Sequence, residues 1–224
     1  MPTTAFEWEY RWRVPILIAS QPVLALSVHW LSDRDGCWYA PVFSVATGCA
    51  AVVIATLGIL LRVQAVTDLH AHVMASHGPD VSRLVKTGIY GAVRNPLYIS
   101  SLLLFGAYGL FFGWLWALGF VAFHWLRYQR IIRLEESFLR NQWGADFEDY
   151  CRQVPRWWPR WRSLLTESKL WISISMGGIL PNLVYVAIWT GITVSALAGD
   201  LTWIIPIEAA GGAVQMVNIY RRRS

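Results

Sequence analysis

The sequence predicts an all-α, integral membrane protein of about six transmembrane helices, with a ligand pocket facing the cytoplasm. Three observations predict it. Apolar residues gather into windows of bilayer length, and basic residues fall almost entirely between alternate windows. Two polar, aromatic-rich segments also flank a single apolar hairpin.

Of the 224 residues, 55% are hydrophobic and 15% charged, a balance that a greasy soluble core would also fit. The membrane class follows from clustering. Four windows stand out: Val14–Leu31, Ala40–Val63, Leu97–Leu126 and Leu170–Tyr220, the last divided by Gly199-Asp200. A helix rises about 1.5 Å per residue, so roughly 20 residues cross a bilayer core. The first two windows each supply one crossing and the last supplies two. Leu97–Leu126 holds 30 residues, short of the roughly 40 that two crossings need. Extension back to Asn95 and forward to about Arg133 supplies the length, with a turn near Gly113. A shallow re-entrant hairpin is the alternative.

Charge supports the six-helix layout. Of 19 Lys and Arg, only Arg34 falls in a predicted outer loop, which leaves 18 at the N-terminus, in Arg62–Arg94, in Arg127–Lys169 or in Arg221–Arg223. The positive-inside rule then puts both termini and both polar segments in the cytoplasm, as in a bacterial inner membrane or its equivalent. Fourteen Trp, many near predicted helix ends, fit interfacial anchoring. The formal charge of +5 reads as topology and contact with anionic lipid, and no nucleic-acid partner is expected. The start, Glu7-Trp-Glu9-Tyr-Arg11-Trp-Arg13, shows no small-residue cleavage site and reads as an uncleaved anchor.

Residues 1–169 form the principal domain, with its motif core at 82–159. Residues 170–224 add a C-terminal helix pair to the same membrane domain. Cys37, Cys49 and Cys151 lack metal or redox spacing and read as structural or incidental. Asp68-x-His70-x-His72, with His77, alternates without placing both His on one helical face, so no metal site is expected. His29 and His124 read as interfacial residues near helix ends.

The chemistry-bearing residues lie in Gly88–Pro159. Asn95-Pro96 is a helix start, in which Asn caps free N–H groups and Pro takes the first helical position. Such a terminus presents positive potential and open donors for a carboxylate or phosphate, with Arg94 before it and Tyr98 beyond. Further on, Ile131, Leu134 and Phe138 mark an apolar stripe on a helix leaving the membrane, and Glu135-Glu136 lie between them. Either the two Glu pair with Arg neighbours three or four residues away, or one accepts a ligand's ammonium.

In this stretch the chain resembles the isoprenylcysteine carboxyl methyltransferases and related phospholipid methyltransferases. Their pattern is Gly-x-Tyr-x-x-x-Arg-His-Pro-x-Tyr, a hairpin, Glu-Glu, then an aromatic, Gly and Tyr segment closing in Val-Pro. Gly88, Tyr90, Arg94, Pro96, Tyr98, Glu135, Glu136, Gly144, Tyr150, Val154 and Pro155 occupy that order here. The resemblance covers about Ser82–Pro159. It implies S-adenosylmethionine in a cytoplasmic cofactor pocket, held by Leu84, Val85, Gly88, Tyr90, Asn95, Pro96, Tyr98, Glu135 and Glu136. It also implies Arg94, Tyr98 and Arg156 at the reacting centre, and methyl transfer to a lipophilic or membrane-presented acceptor. A prenylcysteine-type carboxylate is the family default.

Asn95 departs from the family's His. It can cap and hydrogen-bond but takes up no proton near neutral pH, which keeps a phospholipid amine or a small thiol open as acceptor. A nicotinamide-dependent membrane reductase is a second class, its phosphates taken by the Arg-rich 127–162 region. A non-enzymatic membrane protein is a third. In that reading Glu208, a carboxylate within Leu201–Tyr220, serves transport; the plainer alternative for Glu208 in any reading is a hydrogen bond to Asn182.

Overall fold

The computed structural model describes residues 44–69, 84–160 and 179–199 continuously, and scattered positions within 12–27 and 203–217. Among the described residues every regular element is helical. The elements are α1 (Val45–Leu69), α2 (Ile89–Ala92), α3 (Pro96–Leu110), α4 (Trp114–Trp143), α5 (Ala145–Gln153), a 3-10 turn at Leu180–Asn182, and α6 (Leu183–Ala198). His29, His70, His72, His77, Cys37 and Glu208 lie outside the described residues.

α1 is the central strut, with α3 along one side and α6 along another, and α4 folds back on α3. Small residues permit these approaches. A Cβ built on Gly58 of α1 would stand 3.1 Å from both Leu104 Cγ and the Ser100 carbonyl of α3. At the closed end of the hairpin, a Cβ on Gly109 would meet Ala117 Cα of α4 at 2.5 Å. The turn falls where the sequence places it, with Gly113 at φ 112°, a conformation that side chains resist.

α1 and Leu180–Ala198 are each long and apolar enough to cross a membrane. α3, at 15 residues, runs about 22 Å and is shorter than a bilayer core. α4 has 30 residues and continues well past Arg133 before Gly144, at φ 48°, breaks it from α5. Its outer face carries Trp114, Leu118, Phe123, Trp125 and Leu126 exposed, matched on α1 by Val53 and Leu57. Apolar surface of that extent requires a cover.

Three expectations change inside the bundle. His124 is not near a helix end: it sits ten residues into α4, fully buried and stacked on Phe105 with ring centroids 4.0 Å apart. Its ring nitrogens meet Ser20 Oγ and Arg127 Nη1, each at 3.2 Å, so the imidazole is satisfied in the core. Arg62 and Arg127, read as cytoplasmic charge, are both buried. Helix phase explains this, because both fall on the inward face of a helix long enough to carry them inside. Phe138 of the predicted stripe is exposed, and Ile132 and Glu136 take the buried face beside Ile131.

Candidate active site at the mouth of the hairpin

Four backbone-directed hydrogen bonds join the two polar segments that flank the hairpin. Arg94 N–H donates to the Pro155 carbonyl at 2.9 Å and Arg160 N–H to that of Ala92 at 3.0 Å. The Asn95 carboxamide donates to the Arg156 carbonyl at 3.1 Å, and the Tyr150 hydroxyl to that of Tyr90 at 2.8 Å. α5 supplies the wall behind them, its Phe147 and Tyr150 packing with Val154 and Leu84.

The first segment hangs from the end of α1. Asp68 Oδ2 accepts the Ile89 N–H at 2.9 Å, while Gln64 holds Oδ1 at 2.9 Å. Gly88 is required at that join for two reasons. Its φ of 63° with ψ −138° is glycine territory, and a Cβ there would run into the Asp68 carboxylate. Asp68 is thus the anchor of α2, a role that sequence reading, which weighed it only beside His70 and His72, did not find. Val85, Leu97 and Leu61 close around Tyr90 and Ile89.

The two glutamates of α4 have different partners, and Glu136 meets arginines from two other segments in place of a neighbour on its own helix turn. Glu136 is 7% exposed and lies between two arginines from opposite segments. Arg94 Nη1 reaches its Oε1 at 3.1 Å, while Arg156 holds Oε1 through Nε at 3.0 Å and Oε2 through Nη2. Glu135 Oε1 accepts the Tyr98 hydroxyl at 2.8 Å, and the Tyr98 ring packs on Tyr128 at 4.7 Å between centroids. Arg94 Nη1 also points at Cys151 Sγ, 2.7 Å away. Cys151 reads from sequence as structural or incidental, and nothing in its spacing marks it as an Arg94 partner.

Asn95 does not cap α3. It holds the N-cap position before Pro96, but its side chain makes no capping hydrogen bond. Its donor is turned instead to the 156 carbonyl, so it works as a stitch between the segments.

Burial raises the hydroxyl pKa of both Tyr90 and Tyr150 above the usual phenol value, so both stay neutral donors. Burial likewise raises the Cys151 thiol, against the pull of Arg94. Among the described residues, three buried donor atoms lack a hydrogen-bond partner here: Tyr90 Oη, Arg94 Nε and Trp157 Nε1. Buried donors left open are costly, and an acceptor-rich ligand is what such a set satisfies. The carboxylate, ribose and adenine acceptors of S-adenosylmethionine fit that chemistry, and Glu135 fits its ammonium. Among the described residues no group of three or more His, Cys, Asp or Glu side chains could hold a metal ion.

Comparison with known proteins agrees with this layout. Helices throughout the described residues, with polar segments joined at the mouth of a hairpin, are the class that structure alone defines. Residues 43–146, which include α1 to α4, match the model of the phospholipid methyltransferase family. Two rice proteins, named as probable protein-S-isoprenylcysteine O-methyltransferases of Oryza sativa subspecies indica and japonica, are each 28% identical over 62% of this chain and 76% of their own. A cobalt-zinc-cadmium resistance protein of Cupriavidus metallidurans is 28% identical over 73% of this chain and 69% of its own. A nickel-cobalt-cadmium resistance protein of Alcaligenes xylosoxydans xylosoxydans is 26% identical over 85% and 81%. No solved structure matches. The resemblance to the isoprenylcysteine and phospholipid methyltransferases is therefore real.

Proposed function

We propose that this chain is an integral membrane methyltransferase that uses S-adenosylmethionine to methylate a lipophilic acceptor. The observation that carries the reading is the Arg94–Glu136–Arg156 bridge beside three open buried donors. It gathers the motif's residues into one polar cluster against a hairpin whose outer face is apolar. Six crossings, cytoplasmic termini and a cytoplasmic mouth accompany the proposal, with residues 1–169 as the methyltransferase-like domain and 170–224 as its helix pair.

S-adenosylmethionine supplies a methyl group already activated on sulfur, so the protein's task is orientation more than acid or base chemistry. Fixing the reactants in attack geometry lowers such a barrier by up to about 7–11 kcal/mol. Glu136 holds the two guanidinium groups, and Glu135, steadied by Tyr98, is the carboxylate assigned to the cofactor's ammonium. Arg94, held by Glu136, turns its open Nε to acceptor atoms of the ligand. In this reading Leu84, Val85, Gly88, Tyr90, Asn95 and Pro96 serve the cofactor, and Arg94, Tyr98 and Arg156 serve the reacting centre. The names of the rice relatives favour a prenylcysteine carboxylate as acceptor.

The test is to incubate membranes carrying the full chain with methyl-labelled S-adenosylmethionine and identify the labelled product. Label in a lipid-extractable product is expected, and its loss in Glu135→Gln. Purified protein that binds NADPH and not S-adenosylmethionine overturns the proposal.

A further inference from the structure

Arg62 is a buried cation that the proposed reaction leaves unused. It lies in the last two turns of α1 and is 5% exposed. Its Nε donates to Asn182 Oδ1 at 2.8 Å. Its Nη1 donates to the Leu97 carbonyl at 3.0 Å and lies 2.9 Å from Ser101 Oγ and 3.3 Å from Ser100 Oγ. The guanidinium also lies over the Tyr185 ring, 3.3 Å from its centroid. All these partners are neutral. Among the described residues no carboxylate pairs with Arg62, and its Nη2 has no hydrogen-bond partner.

A clamp between α1, α3 and α6 accounts for Nε and Nη1. It does not account for the charge of the guanidinium. A buried charge without an opposite charge is unfavourable, and within a helix of membrane-spanning character it marks a functional position.

Tyr90 supplies the second observation. Its residue is 8% exposed, its hydroxyl is fully buried without a partner, and Arg62 and Glu135 both lie within its electrostatic reach. Leu97 links the two groups, since its carbonyl holds Arg62 while its side chain packs against the Tyr90 cluster. The free Nη2 edge and the Tyr90 hydroxyl thus belong to one polar region, where α2 meets α1.

We propose that Arg62 and the Tyr90 hydroxyl form a carboxylate-binding subsite at this end of the bundle, a deepening that rests on the methyltransferase reading. Two N–H groups of Nη2 and one hydroxyl make three donors, which suits the two oxygens of a monoanion better than a phosphate dianion. Two sources present that group: the amino-acid end of S-adenosylmethionine and a lipophilic acceptor of prenylcysteine type.

The test measures binding to the full chain in lipid nanodiscs, without turnover. One arm compares S-adenosylmethionine with its decarboxylated analogue, and the other compares N-acetyl-S-farnesylcysteine with its methyl ester. In at least one arm the ligand that keeps its carboxylate is expected to bind about tenfold more tightly than its counterpart without one. Arg62→Gln should abolish that preference, and Tyr90→Phe should reduce it several-fold. The arm that responds identifies the source. Absence of acid preference in both arms overturns the subsite, as does a preference that survives Arg62→Gln. Should Arg62→Gln fail to fold, Tyr90→Phe decides, because it removes a hydroxyl that has no protein partner to lose; an unchanged preference then overturns the proposal. Acid preference without labelled product upholds the subsite and refutes the enzyme, whereas labelled product without acid preference does the reverse.

Discussion

Arg156 holds the Glu136 carboxylate through two nitrogens, Nε at 3.0 Å to one oxygen and Nη2 to the other. The two residues are 20 positions apart, and Arg94 reaches the same carboxylate from 42 positions away. One buried acid therefore joins the strand-like run after α2, the long helix α4 and the chain that follows α5. A bidentate guanidinium fixes direction as well as distance, so Glu136 sets where Arg94 and Arg156 stand.

Adjacent glutamates should consequently fail in different ways. Glu136→Gln leaves two guanidinium groups without their shared charge, and stability should fall by about 3 kcal/mol, the scale of a broken buried pair. Glu135→Gln should leave the melting temperature unchanged and weaken S-adenosylmethionine about tenfold, or about 1.4 kcal/mol. Thermal melting and cofactor titration on both variants check this. A stable Glu136→Gln with weakened binding would reverse the assignment.

Gly88 should tolerate no side chain. Gly88→Ala meets both a forbidden backbone conformation and the Asp68 carboxylate, and it should destabilise the protein by about 1–3 kcal/mol. Combining it with Asp68→Ala removes the collision but also the Ile89 anchor, so the double variant should not recover. Full rescue in a melting experiment would show that φ at Gly88 is not the constraint.

Asn95 should matter as a donor. Asn95→Asp replaces the N–H group facing the Arg156 carbonyl with an oxygen, and both cofactor binding and stability should drop. Asn95→His keeps a ring N–H for the same carbonyl and should leave acceptor preference unchanged. Turnover of wild type and the His variant on a prenylcysteine, an aminophospholipid and a lipophilic thiol provides the check. A switch of preferred acceptor would make this position a selector of substrate.

Topology is testable apart from chemistry. Reporter fusions at Ser224 and within Ser32–Tyr39 should report opposite sides of the membrane, because the basic residues outside the bundle, Arg34 excepted, then lie inside. Equal accessibility of both sites would sink the six-crossing layout.

Much of the mouth was legible in the order of residues. The Gly113 turn, the Pro96 helix start and the return of Glu135-Glu136 to the Arg94 side all follow from local rules: glycine's freedom at positive φ, proline's fit at a first helical turn, and apolar periodicity. These rules act within a few residues, and sequence displays them directly. Spacing brought Tyr98, Glu135, Arg94 and Arg156 together but could not say which acid meets which base. That choice depends on helix phase and on what packs behind each side chain, both properties of the assembled bundle.

Sequence by itself thus determined the helical class, the hairpin and the set of residues at its mouth, because apolar clustering and turn chemistry are short-range. Tertiary structure alone decided that Glu136 holds two arginines while Glu135 meets Tyr98. It also turned Asn95 from cap to stitch, made Asp68 an anchor, and buried Arg62 among neutral partners. Hydrogen bonds between residues 20 to 120 positions apart exist only once the helices have packed. No local pattern in the chain encodes which donor will then find which acceptor.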